Sequence, residues 1–169
     1  MNTLEAIQKR RSIRNYAEEE ITYDKLEELC NMGMAAPSAM NTRPWEFIII
    51  KNKNMLKELS GLRKYWKVLS KAEAAILVAG TDDKYFQQNC AAATQNILLA
   101  ATDMGIGNVW LGLYPNMDAV MKIKEMFGMP ESVVPFSVVS LGYPSASVKN
   151  EVHIPDKKKI HIENWGKIE

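Results

Sequence analysis

Apolar positions along the chain recur at two different spacings, which predict helices and buried strands in turn. Asn2 and Glu5 form a capping-box pattern for a first helix that runs to about Lys9. A second helix begins after Thr22 and ends before Pro37. Its apolar positions recur at helical spacing: Leu26, Leu29, Cys30 and Gly33.

Four apolar segments, bounded by turn residues, predict buried strands: 45–51, 74–80, 109–113 and 137–141. Three helices are expected between them: 55–65, 83–104 and 117–127. Strands that alternate with long helices predict a three-layer α+β or α/β domain. We expect residues 1–169 to form one such domain, with 145–169 as a polar, lysine-rich extension that is laid against another surface.

The segment 85–102 contains no charged residue and therefore has to be distinguished from a membrane span. Its glutamine, asparagine and threonine side chains would each need a hydrogen-bond partner in hydrocarbon. The run 91–93 is all alanine, which favours close packing between helices. We therefore predict a central helix that is buried by the domain and a partner, and no membrane insertion.

Charge and composition narrow the class of protein. Lys and Arg number 21 against 20 Asp and Glu, so the chain as a whole has no general attraction to nucleic acid or anionic membranes. The N-terminus has an early acidic residue and no apolar signal region, so a cytoplasmic protein is expected. Cys30 and Cys90 are far apart and fit neither a disulfide framework nor a zinc site, so both are predicted to be small buried side chains.

Several familiar catalytic and cofactor motifs are absent from the sequence. Gly105, Gly107 and Gly112 follow a predicted helix and open a strand, whereas a dinucleotide-binding loop follows a strand and opens a helix. There is no P-loop sequence. The only histidines, His153 and His161, lie in the extension, which argues against a Ser-His-Asp triad or a histidine-rich metal site. An enzyme of this sequence is expected to rely on an organic cofactor.

Two polar segments carry the candidate chemistry. Residues 10–14 place three arginines beside Ser12, a set suited to phosphate because arginine presents a permanently charged, bidentate fork. Residues 37–45 form a loop before a buried strand, in which Ser38 and Asn41 offer hydroxyl and amide groups. Taken singly, the first segment also fits a solvated basic surface, and the second fits a connecting turn.

Together and in this order, the two segments resemble the signature of the nitroreductase family. That signature is R-R-S-x-R after the first helix, then P-S-x-x-N-x-Q-P-W, an Ala-rich helix that ends in G-x-G, and G-Y-P before a tail. The matching positions here are 10–14, 37–45, 91–107 and 142–144, with Ile160, His161 and Trp165 in the tail. The resemblance covers nearly the whole chain.

The resemblance implies a flavin mononucleotide (FMN) site built by two subunits. The residues expected to hold the phosphate and part of the flavin from one subunit are Arg10, Arg11, Ser12 and Arg14. The residues expected from the partner are Pro37, Ser38, Ala39, Met40 and Asn41. Leu111 and Gly112 are similar to the family segment whose backbone passes the isoalloxazine ring, where glycine permits close approach.

The resemblance also implies the fold and the assembly. The expected fold is an α+β, nitroreductase-like three-layer α/β/α sandwich with a mixed, mostly antiparallel sheet. A strand from the partner's C-terminal extension would complete that sheet, so a homodimer is expected. This arrangement would account for residues 145–169, which are too poor in apolar side chains to fold on themselves.

The implied activity is that of an FMN-dependent oxidoreductase. NADH or NADPH would pass a hydride to flavin N5, and a small electron acceptor would then take the nicotinamide's place in a ping-pong reaction. The acceptor would be a nitroaromatic, a quinone or another flavin, and the pocket walls would choose among them. Candidate walls are Met32, Met34, Met40, Trp66 and Trp110, although methionine and tryptophan are more often plain core residues. No catalytic side chain is required, although Arg14 or Arg10 is expected to stabilise the charge of the reduced flavin.

The sequence departs from the family pattern at three places. Arg43 stands where relatives carry glutamine, which adds charge beside the flavin. Asn89 stands where an acidic residue is frequent, so a helix-terminal ion pair is expected to be missing. Relatives carry a tail arginine near the phosphate, whereas His153 or Ile154 stands here, and the lysines at 157–159 are candidate replacements.

Three alternatives to this activity stay open. One is a specialised flavin reaction on the same scaffold, such as reductive dehalogenation, because a fold does not fix a function. Another is a flavin-binding dimer without reductase turnover. A third is a small nucleic-acid-binding protein that uses residues 10–14 and the tail lysines, which the near-neutral charge disfavours.

Overall fold

The structure is a computed structural model that describes residues 1–81, 84–145 and 154–167. Its centre is a four-stranded sheet with the strand order β1-β2-β4-β3. The strands are β1 (Trp45–Ile50), β2 (Ala74–Thr81), β3 (Gly107–Gly112) and β4 (Val133–Gly142). Each strand pairs with its neighbour in antiparallel fashion. The parallel element among the described residues is one bridge between Ser12 and Asn108.

Five α-helices accompany the sheet in the described residues: α1 (Thr3–Lys9), α2 (Tyr23–Met34), α3 (Lys53–Gly61), α4 (Phe86–Asp103) and α5 (Met117–Phe127). The capping box predicted for α1 is present, since the Asn2 side chain accepts from the Glu5 amide at 2.9 Å and the Glu5 carboxylate accepts in return. Thr22 caps α2 as predicted. These elements confirm the α+β three-layer architecture.

Helix α4 lies across the sheet and contacts all four strands, and α2 packs against both α4 and β1. Residues 86–102 of α4 carry no charged side chain, and one side of the helix faces the sheet. Cys90, Ala93, Ile97 and Ala101 are buried there. Strand β2 is buried along almost its whole length, as expected for a central strand. No helix in the described part of the chain has the length and apolarity that a membrane span needs.

Two predicted elements differ from the observed ones. The helix predicted at 55–65 begins earlier, because Asn52 caps it, and ends at Gly61, and a 3₁₀ helix, Lys64–Lys71, follows it. The strand predicted at 137–141 begins at Val133 instead. Pro135 lies inside that strand, next to the point where the register with β2 shifts, and such an irregularity is where a proline is tolerated in a sheet.

Cys30 and Cys90 are both buried and unlinked, as predicted. Burial raises the pKa of the Cys30 thiol to about 11. A buried, protonated thiol is a poor nucleophile. The two cysteines therefore act as small core side chains.

The described part of the extension, 154–167, has little apolar contact with the rest of the chain. A 3₁₀ helix, Lys157–Lys159, is capped by Asp156, and the rings of His161 and Trp165 stack with centroids 4.3 Å apart. Trp165 is nevertheless 91% exposed, and Ile154 and Ile160 are exposed as well. The extension thus presents apolar side chains outward. His153 lies outside the described residues.

Candidate functional site

The arginine segment, residues 10–14, is held along the edge of β3. The Ile13 amide donates to the Asn108 carbonyl at 2.8 Å, next to the bridge that joins Ser12 to Asn108. Gly107 makes this close approach possible, since a Cβ at that position would lie 2.8 Å from Ile13 Cγ2. The second glycine of the G-x-G motif therefore leaves room for the arginine segment.

Tyr16 fixes the far end of the same segment. Its hydroxyl is hydrogen-bonded to the Ile13 carbonyl at 3.0 Å and to Ser140 Oγ at 2.9 Å. Burial raises the pKa of Tyr16 to about 12, against the smaller lowering effects of Ser140 and a nearby arginine. A Cβ on Gly142 would meet Tyr16 Cγ at 2.5 Å, so the glycine of the G-Y-P motif provides the space for this ring.

A cleft of about 490 Å³ opens beside the end of β3. It brings together three residues that the sequence predicted for the cofactor site, namely Arg14, Leu111 and Gly112. A Cβ added to Gly112 would meet no atom within 4 Å, so the glycine faces open space. The remaining lining residues are Arg63, Tyr65, Trp66, Lys67, Val68, Lys71 and Trp110. This volume falls within the range of roughly 300–1,000 Å³ that is typical of small-molecule sites.

Trp66 and Trp110, two of the side chains predicted as candidate pocket walls, line the cleft, whereas the rest of its second wall was not predicted from the sequence. It comes from Arg63 and the 3₁₀ helix Lys64–Lys71, a stretch that carries no family motif. Arg63 Nη1 donates to the Gly112 carbonyl at 2.6 Å and to the Leu113 carbonyl at 3.4 Å. The sequence feature that could have indicated this wall is the high proportion of Lys and Arg at 63–71, but such a segment is equally typical of a solvated surface.

The charged side chains that line the cleft are all positive. Arg14, Arg63, Lys67 and Lys71 line it, and none of its described lining residues is acidic. The ion pairs found in the described part of the chain involve other residues. The cleft is therefore an electropositive site with aromatic walls, which suits a planar ligand that carries negative charge.

The other members of the arginine segment do not line this cleft. Arg11 lines a separate cavity of about 310 Å³, together with Lys9 and Asn108. Its Nη1 donates to the Gln8 carbonyl at 2.6 Å and to the Arg10 carbonyl at 2.8 Å. Arg10 is half-buried and Ser12 is exposed. The segment thus presents arginines to two different cavities.

The loop predicted to form the opposite wall has a strained backbone. Ala39–Asn41 form a short 3₁₀ turn in which Met40 has φ of 52° and Asn41 has φ of 57°, and Arg43 follows with φ of 48°. Left-handed backbone is unfavourable for the side chains of methionine and arginine, and such residues cluster at functional sites. Met40 is also 82% exposed, although it is apolar.

Polar side chains hold this loop in place. Ser38 Oγ accepts from the Arg43 amide at 2.9 Å, and Asn41 Oδ1 accepts from Arg43 Nε at 3.0 Å. Because Arg43 donates to the side-chain oxygen of Asn41, the Nδ2 group of Asn41 remains as a donor for a ligand oxygen. The arginine that departs from the family pattern thus orients the neighbouring asparagine.

Asn89 connects the loop to α4. Its Oδ1 accepts from the Ala39 amide at 2.9 Å, whereas its Nδ2 group is buried and has no hydrogen-bond partner. Burying a donor without a hydrogen-bond partner lowers the stability of the folded chain. The Asn89 side chain therefore supports the loop through its oxygen at the cost of an unsatisfied Nδ2 group. Asn89 therefore anchors the loop by a neutral hydrogen bond at the position where relatives often carry an acidic residue.

The two halves of the predicted site attach to opposite edges of the sheet. Residues 37–41 lead into edge strand β1, whereas Arg14 and Gly112 lie beside edge strand β3. At about 4.8 Å per strand, the two edges are about 14 Å apart. Residues 37–41 do not line the cleft of their own chain.

The fold and the cleft define a class: an α+β protein with an electropositive cleft at a sheet edge, whose walls are partly aromatic. Comparison with known proteins gives the family. The model of the nitroreductase family matches residues 7–85 and 62–143, and the chain belongs to this family.

Two archaeal relatives share most of their length with the chain, and both carry the name "Putative NADH dehydrogenase/NAD(P)H nitroreductase". The protein from Archaeoglobus fulgidus is 42% identical over 171 residues, which cover 96% of this chain and 98% of that protein. The protein from Methanothermobacter thermautotrophicus is 39% identical over 98% of this chain and 88% of its own.

Solved structures give the same fold. A protein of that name from Parabacteroides distasonis superposes with a TM-score of 0.92 and 33% identity, covering 98% of this chain and 100% of its own. A nitroreductase with bound FMN from Bacteroides fragilis gives a TM-score of 0.80 with 26% identity, covering 97% of this chain and all of its own. These matches confirm the predicted family and fold.

Proposed function

We propose that the protein is an FMN-dependent NAD(P)H oxidoreductase that passes electrons to a small electron-poor acceptor. The observation that carries the proposal is the cleft that joins Arg14, Leu111 and Gly112. From the family resemblance, these three residues are expected to lie around the flavin ring. FMN supplies the chemistry when it is bound, by taking a hydride from NADH or NADPH and passing the electrons on.

The residues that line the cleft fit FMN. The open space at Gly112 admits a flat ring against the backbone, since no side chain occupies it. The guanidinium of Arg14 offers positive charge and hydrogen bonds to the pyrimidine edge of the flavin, where negative charge develops on reduction. Trp110, which is packed edge-to-face on Phe136 at 5.9 Å, provides a rigid aromatic wall.

The phosphate is assigned to the polar start of the arginine segment. Arg10 is half-buried and Ser12 is exposed, and their guanidinium and hydroxyl groups suit a phosphate dianion. Arg11 keeps this role only if it leaves the carbonyls of Gln8 and Arg10, which it contacts here. Lys157, Lys158 and Lys159 are exposed in the extension and are available to replace the family's tail arginine.

We propose further that the active form is a homodimer. The separation of Ala39 and Asn41 from the cleft supports this, because a ring bound at Gly112 lies across the sheet from them in the same chain. The outward apolar side chains support it as well: Leu4, Ile7, Met32, Met34, Met40 and Trp165 are all exposed. Exposed apolar surface of this kind is typical of an interaction site.

The first experiment is the visible spectrum of the protein after loading with FMN and desalting. Retained flavin that bleaches when NADH or NADPH is added anaerobically supports the oxidoreductase. Retained flavin that neither nucleotide bleaches favours the binding protein without turnover. No retained flavin contradicts the proposal. Arg14→Ala should retain less FMN, and Lys57→Ala, a charge change on the exposed face of α3, is the control.

The two-subunit site is tested by complementation between two defective chains. Arg14→Ala and Asn41→Ala should each lose FMN as homodimers. A mixed dimer, purified through two different tags, should retain about one FMN because one of its two sites combines the intact Asn41 of one chain with the intact Arg14 of the other. If the mixed dimer binds no more FMN than its parents, the site is not shared between subunits.

A further inference from the structure

The cleft contains more positive charge than a flavin ring requires. Arg14 is assigned to the flavin, and Arg63 is engaged with the carbonyls of Gly112 and Leu113. Lys67 and Lys71 remain, and both are exposed side chains that line the cleft. The family motifs do not include them. A flavin phosphate assigned to residues 10–12 does not require them either.

These lysines lie beside aromatic side chains, in a position where they could contact a ligand other than the flavin. The 3₁₀ helix that carries them also contributes Trp66, which is buried beneath the cleft, and Tyr65, which is exposed at its rim. Together they form an apolar surface bordered by ammonium groups. Such a surface fits an aromatic ring that bears a negatively charged substituent.

Resting on the proposed function, we propose that this wall selects electron acceptors that carry a carboxylate or sulfonate, with Lys67 and Lys71 as the specificity-determining residues. With the flavin ring at Gly112, the acceptor's ring would lie on the side of the cleft that Tyr65 and Trp66 form, and its anionic group would pair with the two ammonium groups. Lys71 also borders a neighbouring cavity whose acidic lining residues are Glu18, Glu19, Glu20 and Glu73. Glu20 is paired with Lys51 at 2.8 Å and Glu73 with Lys53 at 2.6 Å, and the ion pairs found in the described part of the chain do not include Lys71.

The reaction balances for an aromatic nitro compound of this class. NAD(P)H gives up a hydride, which is two electrons and one proton, and becomes NAD(P)⁺. The nitro group takes up these two electrons and two protons, one of them from solvent. One nitrogen–oxygen bond breaks, and the products are a nitroso compound and water. The anionic substituent is not consumed, so its effect is on binding and orientation alone.

The test compares 4-nitrobenzoate with the neutral 4-nitrobenzyl alcohol. The ratio of their kcat/KM values is measured for the FMN-loaded wild type, for the double variant Lys67→Glu with Lys71→Glu, and for the control Lys57→Glu. Because a ratio cancels changes in flavin content and reactivity, it isolates the charge of the substituent. We expect the double variant to lower the ratio about tenfold, since four units of charge change near an exposed anion.

Salt provides an independent check on the same ratio. Added sodium chloride screens exposed charges, so the wild-type ratio should fall as ionic strength rises, and the ratio of the double variant should not. Lys57→Glu should behave like the wild type. The proposal is overturned if the double variant has the same ratio as the wild type at low salt, or if added salt leaves the wild-type ratio unchanged.

A binding measurement separates this proposal from the proposed function. Calorimetry with benzenesulfonate and with neutral benzenesulfonamide on the FMN-loaded protein reports affinity without turnover. Tighter binding of the sulfonate, lost in the double variant, supports the anionic site even if NAD(P)H fails to bleach the flavin. Equal affinity for the two probes in the wild type contradicts it, even if the enzyme turns over.

Discussion

Gly112→Ala should weaken FMN binding without lowering the stability of the flavin-free protein. A Cβ at this position meets no atom within 4 Å, so the substitution creates no clash in the protein itself. Alanine also restricts the unfolded chain more than glycine does, which favours the folded state by roughly 0.5–1 kcal/mol. We therefore expect the flavin-free variant to unfold at the same temperature as the wild type or slightly above it.

The same methyl group occupies the space that we assign to the flavin ring. Forcing an extra methyl against a packed group costs about 1–3 kcal/mol. At about 1.4 kcal/mol per tenfold change, the dissociation constant of FMN should rise about 5-fold to 150-fold. Fluorescence titration of the flavin-free protein with FMN measures this constant, and circular dichroism follows the unfolding.

Gly61→Ala is the matched control. A Cβ at Gly61 likewise meets nothing within 4 Å, and this glycine ends α3 outside the cleft. It should leave the FMN affinity unchanged. The reasoning is refuted if Gly112→Ala binds FMN as tightly as the wild type, because the ring would then lie elsewhere.

Three further variants test the supports of the site. Tyr16 has a pKa raised to about 12 from 10.0, so its neutral form adds stability that is complete below pH 10 and is lost as the pH rises to 12. In urea unfolding, the difference in the free energy of unfolding between the wild type and Tyr16→Phe should shrink from pH 10 to pH 12. A difference that stays constant over this range contradicts the raised pKa. Met40→Gly relieves about 1–2 kcal/mol of left-handed backbone strain and loses about 0.5–1 kcal/mol to the greater freedom of glycine in the unfolded chain, so urea unfolding should show a net gain of about 1 kcal/mol or less; a loss of stability would contradict the strain. Asn89→Ala leaves the Ala39 amide unpaired and should weaken FMN retention, whereas equal retention would show that Asn89 does not support the loop.

Local signals in the sequence were sufficient for most of the fold. The capping box at Asn2, the cap at Thr22 and the apolar runs of β1 and β2 each act within a few residues, and each prediction is confirmed. The extent of β4 was missed because Pro135 normally ends a strand, and only the register shift opposite it makes the proline acceptable.

The cleft was predicted in part. Arg14, Leu111 and Gly112 were identified through the resemblance, and the structure brings them together. Of the wall at Lys64–Lys71, only Trp66 was predicted as a candidate. The rest was missed because its 3₁₀ helix is fixed by packing of Trp66 and Leu69 into the core and not by a local motif. The support of the loop by Asn89 was also missed, since the hydrogen bond to Ala39 joins residues fifty positions apart.

The arginine segment affects which edge of the sheet can accept a strand from another chain. By pairing with Asn108, it covers the start of the outer edge of β3. Among the described residues, β1 is then the edge strand that is unpaired along its whole outer edge, Trp45–Ile50, whereas the outer edge of β3 is unpaired only beyond Asn108. Unpaired strand edges are templates for pairing with another chain. A C-terminal strand arriving from a second subunit should therefore join at β1, next to the loop that we assign to the shared flavin site.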